Sequence, residues 1–195
     1  MSEVIVMERP DFISWEDIRQ TLADAHKNNI KHGLVVRSTT LSGDQLRKQV
    51  ADGKCFVALD GNKLVGVAAV RIKTYNKWFC QGKVAHFLLD SVLPDYQGAG
   101  IYSQLQKKRY EYIEEEGISI ITTNTAANNE RMVKMLPKHG FHRAIMFHAS
   151  DTDHFSITWV KWLKDEPSCI TIWVHYLLSV IKVKLYYALR RVSSK

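Results

Sequence analysis

The sequence predicts an α/β domain built on a largely antiparallel sheet. Three observations lead there. Elements come in mixed order: a strand, two helices, a hairpin, a strand, a helix, a strand, a helix and two strands. The hairpin at the centre joins neighbouring strands antiparallel. No regular strand–helix alternation runs along the chain, which argues against a doubly wound parallel sheet.

Val4-Ile5-Val6-Met7, closed by Pro10, reads as a short edge strand. Ser14-Trp15-Glu16-Asp17 has the form of a helix start. Ser14 caps free backbone N–H groups, and Asp17 stands where the reciprocal acid belongs. Ile18, Leu22 and Ala25 follow at helical spacing, and Asn28-Asn29 is expected to end that helix. Ser42-Gly43-Asp44-Gln45 predicts a second start, with Leu41 and Leu46 as its hydrophobic staple. Residues 55–59 and 63–70 are β-rich runs around Asp60-Gly61-Asn62, a β-hairpin with glycine where positive φ is easily adopted. Residues 84–92 predict an apolar strand. Residues 101–116 predict a helix with Ile101, Leu105, Tyr112 and Ile113 on one side, and residues 118–123 a short buried strand. A helix over 129–136 is terminated by Gly140. Residues 141–149 and 155–162 read as antiparallel strands around Ser150-Asp151-Thr152-Asp153.

The chain has 195 residues, 46% of them hydrophobic and 24% charged. This suits one globular domain with its own core and excludes disordered, collagen-like and polytopic membrane chains. Cys55, Cys80 and Cys169 lie far apart with no C-x-x-C, which excludes a disulfide scaffold and suits a reducing, cytoplasmic setting. The N-terminus has no apolar core behind a basic flank, so no signal peptide is expected. Net charge is +7, yet residues 168–195 alone hold five basic residues and no acid. The remainder is close to neutral, and no nucleic-acid partner is expected. No set of His, Cys and carboxylates has metal-ligand spacing, so no metal is expected.

The most chemical segment is Asp90-Ser91-Val92-Leu93-Pro94-Asp95-Tyr96-Gln97-Gly98-Ala99-Gly100-Ile101-Tyr102-Ser103. A strand stops at Pro94, a small-residue loop follows, and a helix begins near Ile101. Such a loop lets backbone approach a ligand closely. The unpaired N–H groups and positive dipole end of the helix suit an anion such as a pyrophosphate. It is not a P-loop, since no Lys-Ser/Thr follows Gly100, and it lacks the third glycine of a Rossmann fingerprint.

Here the sequence resembles the GCN5-related N-acetyltransferase (GNAT) superfamily. Val92, Pro94, Gln97, Gly98, Gly100, Ile101 and Leu105 match the family's V-x-P-x-x-[QR]-G-x-G-[IV]-[GA]-x-x-L pattern, and Tyr102 departs from it. Asn129, Arg131, Lys138, Gly140 and Phe141 match a second block, N-x-R-A-x-x-L-Y-x-K-x-G-F, in which Leu136 and Pro137 depart. The resemblance spans roughly residues 4–162. It implies a twisted, mainly antiparallel mixed sheet flanked by helices, a domain over 1–163, and acetyl-CoA as cosubstrate. By the resemblance, Ser91 and Val92 beside Asp90 would pair with pantetheine. Gln97, Gly98, Ala99, Gly100, Ile101, Tyr102 and Ser103 would hold pyrophosphate, and Asn129 would reach the cofactor from the next helix. Tyr102 must then point off the phosphate face.

Acetyl transfer needs an amine, a route for its proton and stabilisation of a developing oxyanion. Many relatives place a Tyr acid where this chain has Leu136. Pro137 lacks the N–H a helix would use, so the helix should end near Leu136. Strand alternation puts His86, Leu88 and Asp90 on one face and Phe87 and Leu89 on the other. Asp90 is the first candidate base and His86 the second. The acceptor expected is a small-molecule amine, such as an amino sugar or nucleotide sugar. A protein amine, or a CoA-binding domain without turnover, are the alternatives.

Residues 168–195 predict a tail helix. Its apolar run is too short to span a bilayer before Lys182. Basic residues with Trp173, Tyr176, Tyr186 and Tyr187 suit the inner face of a membrane as a peripheral contact. A homodimer, or packing on the domain itself, are the other readings.

Overall fold

Local chemistry sets the helix starts of this chain. The computed structural model describes residues 3–34, 36–77, 80–148, 154–164 and 169–193, with side chains for these except 80, 169 and 187–193. Ser14 Oγ accepts from the Asp17 N–H at 3.1 Å while the Asp17 carboxylate accepts from the Ser14 N–H at 2.8 Å. Gln45 N–H donates to Ser42 Oγ at 3.3 Å, and Ser42 N–H to Gln45 Oε1 at 2.9 Å. These capping boxes begin α1 (Trp15–Lys31) and α2 (Gly43–Gln49). α1 does not stop at Asn28-Asn29. Asparagine costs only a few tenths of a kcal/mol inside an exposed helix turn, and the helix runs to Lys31 before the chain reverses at Gly33, with φ +77°.

Seven strands form one sheet in the order β1-β2-β3-β4-β5-β7-β6. They are β1 (Val4–Glu8), β2 (Gly53–Asp60), β3 (Lys63–Lys77), β4 (Cys80–Val92), β5 (Ile120–Ala126), β6 (His142–His148) and β7 (Phe155–Trp162). All neighbours are antiparallel except β4 and β5, which are parallel. β3 and β4 extend well beyond the apolar runs, pairing out to Lys77 opposite Cys80. Main-chain pairing needs no apolar side chain, so Arg71 and Lys73 interrupt the hydrophobic signal without ending the strand. The turn expected at residues 150–153 lies outside the described residues.

α3 (Ile101–Glu115) and α4 (Glu130–Met135) cover one face of the sheet with a continuous core that includes Phe56, Val65, Phe87, Leu105 and Trp159. The opposite face holds two separate clusters. One packs under α1 and α2 around Leu22, Leu46, Val57 and Val67. The other gathers Val84, Val160, Trp162 and Ile172, the last from α5 (Cys169–Ser193). α5 runs along β6, the edge strand at the other end of the sheet from β1, and Met146 N–H donates to Ser179 Oγ at 3.0 Å.

α3 buries Ile101, Leu105, Arg109 and Ile113 at four-residue intervals. Arg109 is 0% exposed. Its Nη1 donates to the Ala69 carbonyl and to Asp90 Oδ2, each at 3.1 Å, and its Nη2 donates to Asp90 Oδ1. The Phe87 ring lies 4.0 Å from the guanidinium. A forked, charge-assisted pair thus fastens α3 to β4. Asp90→Asn should strand a buried guanidinium and destabilise the fold by about 3 kcal/mol, while Arg109→Met, which removes the buried charge itself, should cost less. Urea unfolding of the two variants checks that order.

Candidate active site

β4 carries one residue more than its partner. Val67 lies opposite Ser91 and Ala69 opposite Leu88, so three steps on β4 face two on β3. At this bulge Leu89 takes φ +60°, a conformation bulky residues rarely adopt. The bulge overturns strict alternation. Asp90 joins Phe87 on the α3 face, whereas Leu89 and Ser91 join His86 on the α1 face.

β5 pairs with β4 only where Ala85, His86 and Phe87 meet Ile121, Thr122 and Thr123. Beyond that, β4 continues to Val92 against β3, and β5 to Ala126 against β7. The two strands part at Leu88. On their β5 side, residues 88–92 have backbone groups without a strand partner, so an extended chain laid there would find main-chain bonds.

The loop after β4 is held at both ends. Leu93 N–H donates to the Val65 carbonyl at 2.9 Å, and Tyr96 Oη–H to Asp60 Oδ2 at 2.8 Å. The side-chain amide of exposed Gln97 donates to the Val92 carbonyl at 3.1 Å and so braces the loop. Gly98 and Gly100 take φ +85° and +76°, and a Cβ at either would meet nothing within 4 Å. The hollow above them is open, and no side chain caps the first turn of α3. The N–H groups of that turn and the helix dipole make it an anion cradle. Ala99 and Ser103 are exposed at its rim, and Ile101 is buried in the core. Tyr102 turns inward and accepts from Gln106 Nε2 beside Arg109 and Asp90. Desolvation, then the Asp90 carboxylate, raises its phenol pKa.

Asn129 Oδ1 accepts from the Met132 N–H at 3.2 Å and so caps α4. α4 ends at Met135, and a single tight turn over Leu136–His139 follows before Gly140 at φ +78°. Leu136 is buried in the core on the α3 face.

The two expected bases have other partners. Both Asp90 oxygens are taken by Arg109. His86 is buried, with Nδ1 3.0 Å from Thr122 Oγ1. Burial, with Lys73 and Arg71 nearby, pushes its pKa down to about 3, so it stays neutral. A third histidine was not singled out by the sequence. His26 on α1 places Nε2 2.8 Å from Ser91 Oγ and Nδ1 3.0 Å from Asn29 Nδ2. Desolvation lowers its pKa, against the opposing pull of Asp90. Nothing in the sequence joins positions 26 and 91. Arg109 was legible: it stands four residues from both Leu105 and Ile113, but a charged residue in an apolar stripe reads as solvent-facing. Among the described residues, no group of three His, Cys, Asp or Glu is placed to hold a metal.

No curated protein matches the chain. Solved structures do match its fold. The ribosomal-protein-S18-alanine N-acetyltransferase from Escherichia coli is 14% identical with a TM-score of 0.60, covering 86% of this chain and 98% of that one. An acetyltransferase of the GNAT family from Staphylococcus aureus Mu50 is 14% identical with a TM-score of 0.61, covering 83% and 100%. The NatC complex bound to Gag peptide and CoA gives 13% identity and a TM-score of 0.62, covering 83% and 99%. At such identities the likeness concerns the fold. The sequence pattern of the acetyltransferase (GNAT) family matches residues 15–141, which take in both the parted strands and the cradle. A match over more than half the chain, on a sheet of this order, shows that the chain belongs to the acetyltransferase (GNAT) family, an acyl-CoA-dependent N-acyltransferase class.

Proposed function

We propose that the chain transfers acetyl from acetyl-CoA to the primary amine of a small molecule, by direct attack in a ternary complex. The parting of β4 and β5 beside an open, uncapped helix start carries this reading. The residues fit the cosubstrate: residues 88–92 offer main-chain partners to an extended arm, and the loop at Gly98 and Gly100 leaves space for phosphate. Bound acetyl-CoA supplies the acyl group as a thioester. The chain's part is to align it, to present backbone N–H groups to the carbonyl oxygen, and to receive the amine proton.

For that proton the geometry favours Ser91 and His26 over Asp90 and His86. Asp90 is occupied by Arg109, and a histidine held near pKa 3 is a weak base. His26 is neutral at pH 7, because its pKa lies below the ordinary histidine value, and it touches Ser91 on the parted stretch; taking a proton through the Ser91 hydroxyl requires a bare Nε2, and so an Asn29 amide turned to set its oxygen against Nδ1–H. The rival reading is a domain that binds CoA without turnover. It draws on Leu136, a core residue where relatives carry an acid. Thiol release against an amine panel separates the two.

We also propose that α5 seats the enzyme on an anionic lipid surface. Val174, Leu178, Ile181 and Leu185 recur at heptad spacing and are 42% to 58% exposed. Lys182 and Lys184 flank this stripe, so a second copy would set lysine against lysine, whereas an acidic surface would attract both. Among the described residues no helix is long and apolar enough to cross a membrane.

Three outcomes are expected. Asparagine tolerates positive φ, so Gly100→Asn fills the cradle with little strain; calorimetry should show CoA affinity falling about tenfold or more, and unchanged affinity would move the site elsewhere. His26→Gln should lower kcat about 100-fold and remove the acidic limb of the pH–rate profile, which the native enzyme should show below pH 6.5. The full chain should float with phosphatidylglycerol vesicles at low salt and not with phosphatidylcholine. Leu178→Asp with Ile181→Asp should abolish flotation. A dimer in sedimentation that the same double variant dissociates, without flotation, would assign the stripe to a second copy.

A further inference from the structure

The sheet face turned to α1, α2 and α5 has two apolar clusters where the other face has one. What separates them is a polar seam across three adjacent strands. Arg71 and Lys73 come from β3, His86 from β4 and Thr122 from β5; Arg71 lies opposite His86, and His86 opposite Thr122. The seam ends where β4 and β5 part, two residues beyond His86.

Two cationic side chains, Arg71 and Lys73, meet a neutral histidine there. Among the described residues neither Arg71 nor Lys73 makes an ion pair. Arg71 reaches only the Gln49 carbonyl, at 3.4 Å, and its Nε is buried without a partner. Tyr75 and Asp52 act on it only through space. The Lys73 ammonium is half-buried, 5.8 Å from the Tyr75 ring. Burial and the neighbouring Arg71 push its pKa down to about 8. His86 stays neutral and adds no counter-charge. Two part-buried cations side by side are unfavourable in the free protein, and among the described residues no carboxylate pairs with either. An anionic group would, and the seam leads from there to the gap from the side away from α3 and its cradle.

We infer that Arg71 and Lys73 form a subsite for an anionic group on the acceptor, so that the amine acetylated belongs to a molecule carrying a carboxylate or a phosphate. This rests on the acetyltransferase reading above. Lys73 meets the anion as a point charge, and Arg71 adds the charge of its part-buried guanidinium beside it. His86, opposite Arg71 on β4 and bonded to Thr122, is a buried neutral neighbour of the pair. The amine then faces the parted strands while its anionic end lies along the seam.

Matched acceptors test it on the full chain. Thiol release is measured with tyramine against tyrosine, and with glucosamine against glucosamine 6-phosphate. The anionic member of at least one pair should have a kcat/KM about tenfold or more above its neutral partner, and the pair that responds tells carboxylate from phosphate. Lys73→Met should erase the preference and leave CoA affinity and the neutral member's rate unchanged. No preference in either pair, or one untouched by Lys73→Met, overturns the subsite. A second measurement does not depend on turnover. At pH 8, Lys73 should react with an amine-directed ester faster than exposed Lys107, and inorganic phosphate or acetate should slow Lys73 severalfold and not Lys107. Absence of protection by either anion also overturns it. Failure of the acetyltransferase reading looks different: calorimetry would then find no acetyl-CoA binding at all.

Discussion

The forked bond between Arg109 and Asp90 is the constraint on which the rest of this structure depends. A guanidinium with no exposure sits in the middle of the buried stripe of α3. It is stable there only because a carboxylate, a carbonyl of β3 and an aromatic ring converge on it. The carboxylate arrives because β4 has an extra residue, which rotates Asp90 toward the helix. One bond therefore sets two things together: where β4 turns away from β5, and where the start of α3 stands relative to that gap. Under the proposed function, a cosubstrate spanning both would need them at a fixed separation.

The two faces of the sheet consequently have different tasks. The α3 face is a continuous core, and its open end is the cradle. The α1 face is interrupted by charged and polar groups and receives the histidine that touches Ser91. The gap between β4 and β5 is where the faces communicate.

Much of this was legible in the sequence, where the determinants are local. Both capping boxes, the hairpin, the glycine loop and the stop at Leu136 and Pro137 depend on residues within a few positions of one another. What could not be read depends on register between distant segments. The bulge at Leu89 has no glycine to announce it, and alternation counted through it gave Asp90 the wrong face. The seam joins β3, β4 and β5 side chains from positions 71, 86 and 122, and the contact of His26 with Ser91 links helix to strand. Arg109 is the exception, local in its spacing and obscured only by its charge.

The packing of α5 against β6 has a consequence for the solubility of the chain. β6 is one of the sheet's two edge strands, and an edge strand is a template on which another sheet can grow. Ser179 occupies the Met146 N–H, and Ile172 fills the cluster beneath. The same helix that presents an apolar stripe outward is thus the guard on the sheet's rim. Any event that lifted α5 away from β6 would expose two adhesive surfaces at once. Attachment through the outer stripe alone keeps the guard in place, so docking and protection against edge-to-edge aggregation are compatible only while the helix stays seated.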